Sequence, residues 1–479
     1  MADRDIVYRF GRFELDPQRR ELRRDGLLVK IAHRHVRLLE VLLSHRNRIV
    51  SSEELFAAGW DTAVDDNSVK QAIAGLRKQL RDDPDAGSIK TFVGQGYQFI
   101  GAVTEIDREP ASAAVVSAMV GSYHRLREAH EALATMSLDV VSDAKELIAS
   151  ALRAAPESVG GQIDMAMACI LVYEASRIDV EPDVEALALG LRHAQAVCDR
   201  DPHAGPAWGA LAYLQHLNGD HDAATVSARI AVERDPREWR NLLSLGFATH
   251  GAGRLEAMTR LKQVYPRYAG GHWLEGTVYI ARQAFPLAIE TLCVGCALHE
   301  GQRSEAGPFN PVGLRLMLGN VHAAEGRDAE ALEQYHHELA LVDPGHLYAR
   351  ECCANAWYSI GAIHWRNGRR PEAETAFREA RVFVPAHPLA AIALSKLLGQ
   401  LPPDPSCLAM RAVDAVLVPV VRLAVNGQHE QAAACAADLL ADAAPGPDGW
   451  LLPAEPLIHA TARPDAWGRA LQILHDRAA

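Results

Sequence analysis

Between Asp66 and Arg81 the chain reads DNSVKQAIAGLRKQLR, a stretch whose side chains could read a nucleic acid. Val69, Ile73, Leu76 and Leu80 recur at helical spacing and predict one apolar face. The other side carries Lys70, Gln71, Lys78 and Arg81, with Ala74 and Gly75 between them and no acid after Asp66. A glutamine amide can pair bidentately with adenine, and lysine or arginine can reach guanine or neutralise phosphate. Such a helix suits a DNA major groove. The same pattern also describes an ordinary solvated helix, so the flanking elements must decide.

Those elements are short and well punctuated. Tyr8–Phe10, Phe13–Asp16, Glu21–Arg23 and Leu27–Lys30 alternate as strands, and Asp25-Gly26 predicts a tight hairpin turn. Arg34–Ser44 carries Leu38, Leu39, Leu42 and Leu43 as a helix stripe. Ser51 with Glu54 forms a capping box that opens a second helix. After the basic helix, Ile89–Val93 and Tyr97–Val103 predict two strands joined across Gly94-Gln95-Gly96, a wing-like hairpin.

With 479 residues, 49% of them hydrophobic, the chain can bury more than one core. Mean hydropathy is near zero and no apolar run is long enough to span a membrane. Met1–Phe10 is charged, unlike a signal peptide, and eight scattered cysteines suit a reducing cytosol, so a cytoplasmic location is expected. The net charge of −12 argues against a general nucleic-acid coat. Residues 1–104, however, hold 17 Lys and Arg against 15 Asp and Glu, a slightly basic head on an acidic body.

Residues 1–104 resemble the OmpR/PhoB-type winged-helix DNA-binding domain. The resemblance rests on Leu38-Leu39 with Leu42-Leu43, Arg48-Ile49-Val50-Ser51 with Glu54-Leu55, and Trp60. It continues through Val69, Ile73, Leu76-Arg77-Lys78 and Leu80 to Ile89, Thr91, Gly94, Gly96-Tyr97 and Phe99. It implies an α+β winged helix that places helix 67–81 in the major groove of double-stranded DNA, with Ser68, Lys70, Gln71, Ala74, Gly75, Arg77 and Lys78 facing it. Thr91 and Tyr97 would touch backbone from the wing, and Arg34 and Arg37 could take phosphates. Gly59–Asp65 would meet RNA polymerase, and Trp60 is expected as a core anchor. Ala74, Gly75 and Val93 depart from the family, standing where relatives often carry basic side chains. Pairing of two copies on tandem DNA sites is a further implication. With no receiver region ahead of the domain and no membrane span, the soluble HilA-like arrangement of regulators is the closer match.

Residues 105–115 read as a linker, and 116–479 as almost entirely helical. Trp208, Leu211, Ala212, Gly219, Ala224, Ala228, Ala231 and Pro236 recur in spacing as Trp357, Ile360, Gly361, Gly368, Ala373, Phe377, Ala380 and Pro385. That is the tetratricopeptide (TPR) pattern, a helix pair of about 34 residues stacked into an α-solenoid. Weaker copies fill the intervals, giving an all-α TPR superhelix with a groove for a protein or peptide partner. Tyr213, His216, Tyr358, Trp365 and Arg366 would line that groove, or else serve contacts between repeats.

Motifs for catalysis or metal binding fail on spacing. Cys293 and Cys296 form half a zinc or redox site with no second half, and His336-His337 lack a ligand partner at helical spacing. No cofactor, metal or enzymatic activity is expected. The reading is a cytoplasmic, bacterial-type transcriptional regulator whose TPR array takes a partner or effector or oligomerises. The alternative is a TPR scaffold whose winged helix has lost specific DNA binding, a reading that Ala74, Gly75 and Val93 keep open.

Overall fold

The computed structural model describes residues 6–29, 31–60, 66–80, 88–107, 113–301, 312–411, 413–443, 446 and 448–479. The first domain opens with β1 (Ile6–Phe10), β2 (Phe13–Asp16), β3 (Glu21–Arg24) and β4 (Leu27–Leu28). Next come α1 (His33–Ser44), α2 (Ser52–Gly59), α3 (Asp66–Leu80), β5 (Ser88–Phe92), β6 (Gly96–Ile100) and β7 (Thr104–Asp107). The first sheet has the order β4-β3-β2-β1-β7, and β5-β6 form a separate hairpin. Asp25 and Gly26 both take positive φ, 51° and 79°, as a two-residue hairpin turn requires.

β7 is the first departure from expectation. Ile6 to Arg9 pair antiparallel with Asp107 to Thr104, so residues 105–107 belong to the first sheet rather than to a linker. The expected second wing strand, Tyr97–Val103, is split accordingly, ending at Ile100 before the chain returns to β1.

One core holds this domain together. Leu38, Leu39, Leu42 and Leu43 are buried beside Phe10, Phe13, Leu55, Ile73, Leu76 and Phe99. The capping box forms, with Ser51 Oγ accepting from Glu54 N at 3.1 Å and Glu54 Oε2 accepting from Ser51 N at 3.0 Å. The wing is fixed to the helices by a β-bridge. Val50 N donates to Tyr97 O and Tyr97 N to Val50 O, both at 2.8 Å. Gly96 is needed there, because its φ is +137° and a Cβ would lie 2.0 Å from Val50 O.

The remainder is helical. In order come α4 (Ala113–Ala134), α5 (Leu138–Ala154), α6 (Val159–Ser176), α7 (Val184–Arg200), α8 (Gly205–Leu217) and α9 (His221–Arg234). They are followed by α10 (Trp239–Ala248), α11 (Gly251–Val264), α12 (Gly270–Ala281), α13 (Phe285–Gly301), α14 (Leu314–Ala324) and α15 (Asp328–Leu341). The chain ends with α16 (Ala349–Arg366), α17 (Arg370–Phe383), α18 (Pro388–Leu397), α19 (Asp414–Ala424), α20 (His429–Asp442) and α21 (Pro464–Ala478). Pro236 and Pro385 fall just past α9 and α17, where a missing N–H does no harm to the helix. The small residues of the repeat are where two helices cross closest. A Cβ on Gly361 would lie 2.6 Å from the Phe377 ring, and one on Gly319 would lie 2.4 Å from Tyr335.

These crossings predict the effect of one added methyl. Gly361→Ala should destabilise the array by about 1–3 kcal/mol, because the Phe377 ring must leave a filled site. The urea midpoint of far-UV circular dichroism measures it. An unchanged midpoint would mean that the helices do not depend on this approach.

Candidate functional site

The polar face of α3 is mostly where the spacing puts it. Lys70, Gln71, Ala74 and Lys78 are exposed on one side, while Val69, Ile73, Leu76 and Leu80 are buried on the other. Gly75 is half-buried, and a Cβ there would lie 2.7 Å from the His35 ring of α1. The close approach of α1 therefore accounts for glycine at this position. Arg77 turns away from the exposed face: Nε and Nη2 donate to Ile89 O at 2.8 and 2.6 Å, and Nη2 donates to Thr91 Oγ1 at 2.7 Å. It braces α3 against the wing. Tyr97 is 5% exposed, within the core, whereas Val93 at the wing tip is 95% exposed. Trp60 is buried against Phe56, as a core anchor should be. The loop 61–65 and Arg81 lie outside the described residues.

The remaining expected contacts meet the helical array instead. Arg34 Nη2 stands 3.0 Å from Asp235 Oδ2 and 3.4 Å from Glu238 Oε2, with its guanidinium 4.7 Å from the Trp60 ring centre. Arg237 Nη1 donates to the buried Ser68 Oγ at 3.1 Å. Arg37 lines the crevice between the two domains. Burial raises the pKa of Asp235 and Glu238 in spite of Arg34, so the junction is a desolvated one. Asp235-Pro236, Asp201-Pro202 and Asp343-Pro344 all follow repeat helices, so the acid marks the repeat and local spacing does not single out the docking surface.

Residues of α6, α8, α10, α12, α14 and α16 line one groove of about 3060 Å³, open to solvent, that continues into the interdomain crevice. Tyr213, His216 and Tyr358 are in its wall. Trp365 packs edge-on against Phe377, and Arg366 binds Asp328 and the carbonyls of Pro456 and Ala323, so these two serve contacts within the array. Tyr358 hydroxyl bonds the Glu455 carboxylate. Glu455 and Pro456 belong to the segment 448–463, which lies against α12 and α14. Part of the groove is thus filled by the chain itself.

The groove wall also contains buried charge. Arg177 bridges Glu174 and Glu351 at 2.6 Å each, Arg411 continues to Glu351 at 2.7 Å and Asp414 at 2.8 Å, and Tyr213 hydroxyl donates to Glu174 at 3.1 Å. Beside them, His387 caps α18 through Nδ1, which accepts from Ala390 N at 3.2 Å, and Nε2 faces Asn355 Oδ1 at 3.1 Å. That arrangement needs the neutral ring. Cys293 and Cys296 share α13, and no group of three or more potential metal ligands occurs among the described residues.

Burial holds His387 at about 4 and His216 and His250 at about 3, below the usual 6.5. Between those values and 6.5 the unfolded chain binds protons that the folded one refuses, so stability falls as pH is lowered through this window. The melting temperature should therefore drop steadily from pH 7 to pH 4.5. His387→Asn keeps a cap acceptor and removes one titrating ring, so it should flatten that drop. An equally steep profile in the variant would contradict the assignment.

Residues 26–99 match the family model "Transcriptional regulatory protein, C terminal". A transcriptional regulatory protein of Streptomyces coelicolor, CutR, is 38% identical over 95 residues, which are 19% of this chain and 42% of the relative. The chain thus spans less than half of that relative. The DNA-binding domain of Escherichia coli CadC is 26% identical and is covered completely by 22% of this chain, with a TM-score of 0.20. A tetratricopeptide repeat protein of Parabacteroides merdae is 11% identical and aligns with 55% of this chain and 93% of its own, with a TM-score of 0.38. The spacing of the helix pairs and the glycine-to-ring crossings in this chain identify the repeat without those scores. The amino-terminal part of the chain is accordingly a transcriptional regulatory domain of the OmpR/PhoB type, followed by a tetratricopeptide-repeat array.

Proposed function

We propose that the chain is a DNA-binding transcriptional regulator of the bacterial cytoplasm. The observation that carries this is the exposed face of α3, where Lys70, Gln71, Ala74 and Lys78 remain outside both the core and the interdomain junction. Gln71 reads a base edge, and Lys70 and Lys78 take phosphates or guanine. Arg77 and Thr91 orient the wing. Arg34 and Ser68 hold the domain on the array, so DNA contacts in the docked form rest on α3 and the wing.

The array serves as the protein- or effector-facing part, and no catalytic role is assigned to it. RNA polymerase is a further partner, and two copies on tandem DNA sites are a further arrangement. Both come from the domain type alone. No helix among the described residues is long and apolar enough to cross a membrane.

DNA selected from random sequence by the full chain, then titrated across salt, tests the reading. Lys78→Ala should lower the slope of log affinity against log salt by about one, uniformly across sequences. Gln71→Ala should cost about 1–3 kcal/mol on the selected site and little on random duplex. Failure to enrich any sequence would overturn the proposal. Asp235→Asn with Glu238→Gln removes the acids that hold Arg34, and should raise DNA affinity and steepen the slope. Unchanged binding would mean that Arg34 has no access to phosphate.

A further inference from the structure

One cation on the wall of the large groove has no counter-ion among the described residues. Arg254, in the first turns of α11, is 3% exposed and lines the groove. Its Nε donates to Gly246 O at 2.8 Å and Thr249 O at 3.1 Å, and its Nη1 donates to Thr277 Oγ1 at 2.7 Å. All three acceptors are neutral. Nη2 has no acceptor among the described residues, and no carboxylate there forms an ion pair with Arg254. The half-buried Arg177 and Arg411 differ: each binds two carboxylates.

Burying an unpaired guanidinium is costly, and proteins ordinarily supply a counter-ion. Desolvation alone acts on Arg254, lowering its pKa to about 10, with no acidic neighbour to oppose it. The carbonyls it caps at the end of α10 account for one edge of the guanidinium and leave the other unexplained. Around it the wall is apolar and aromatic. Phe247 stands 4.9 Å from Tyr213 and 6.0 Å from His216, ring centre to ring centre, and Leu274 belongs to the same cluster. Burial keeps His216 neutral, so it adds no second cation.

We propose that this part of the groove binds a small organic anion, with its anionic oxygens on the Nη2 edge of Arg254 and its apolar body against Phe247, Leu274 and Tyr213. A planar guanidinium suits a carboxylate or phosphate, and the low-dielectric protein on its buried side strengthens the pair. The site stands apart from DNA recognition: it can exist whether or not α3 binds DNA.

Calorimetric titration of the full chain with benzoate, phenyl phosphate, inorganic phosphate and the neutral benzyl alcohol tests the proposal without DNA. At least one of the aromatic anions should saturate a single site and raise the melting temperature by a few degrees at saturating concentration. Benzyl alcohol should bind at least about tenfold more weakly, the loss expected when a charged hydrogen bond goes. Tight binding of inorganic phosphate would place the recognition in the phosphate group itself. Preference for benzoate would place it in a carboxylate with an apolar body. Arg254→Gln should abolish anion binding while its circular dichroism stays native, and Arg254→Lys should retain part of it. If Arg254→Gln does not fold, the comparison of benzoate with benzyl alcohol in the natural chain decides. Equal binding of the two, undiminished binding by folded Arg254→Gln, or no binding of any anion would overturn the proposal.

Discussion

A solenoid of helix pairs touches only its neighbours, so its two ends stay apart unless something joins them. Here the turn after α4 pairs with the loop before α16. Leu138 N donates to Gly345 O at 3.0 Å and Leu347 N to Met136 O at 2.8 Å. Arg177 and Glu351, 174 positions apart, bond beside that seam, and Ile178 packs with Ala354 and Val384. At the far end the final carbonyls meet α11 and α12, with Ala252 N donating to Ala479 O and Arg282 to both Ala478 O and Ala479 O. Closure on this scale deepens the groove while leaving it open towards the interdomain crevice. The Arg177–Glu351–Arg411 ion network lies at that seam, whereas Arg254 and His387 are buried by the helices next to them.

The winged helix is organised on a shorter scale. Its core joins α1, α3 and both sheets, and one β-bridge at Val50 and Tyr97 sets the wing relative to the helices. Docking on the array then divides the surface of the domain. The start of α1 and Ser68 face Asp235, Arg237 and Glu238, while the middle and end of α3 face outward. A junction of buried carboxylates on a single arginine is sensitive to losing either partner, since the remaining charge would be left desolvated.

Local patterns in the chain carried the winged helix and the repeat, because each depends on residues a few positions apart. The leucine stripe of α1, the Ser51–Glu54 box and the Asp25-Gly26 turn are all of this kind. What distant residues decide was out of reach. Arg77 faces solvent by its helical position, yet its length lets it fold back onto Ile89 and Thr91. Tyr97 belongs to a wing by sequence, yet alternation turns its ring into the core. Arg34, Ser68 and Arg366 meet partners that no periodicity marks. Glu105–Asp107 looks like the polar start of a linker, but the open edge of β1 takes it, with Thr104, as a strand. The segment 448–463 matches no repeat, and for that reason its place against α12 and α14 could not be foreseen.

The most direct test of the account is site-specific photo-cross-linking of the full chain to DNA that it has selected. A cross-linker would replace Gln71 in one protein, Ser68 in a second and Trp365 in a third. The account predicts base-proximal cross-links from position 71, and none from positions 68 or 365 while the domain stays docked. Cross-links from position 365 without any from 71 would place the DNA on the array and contradict it.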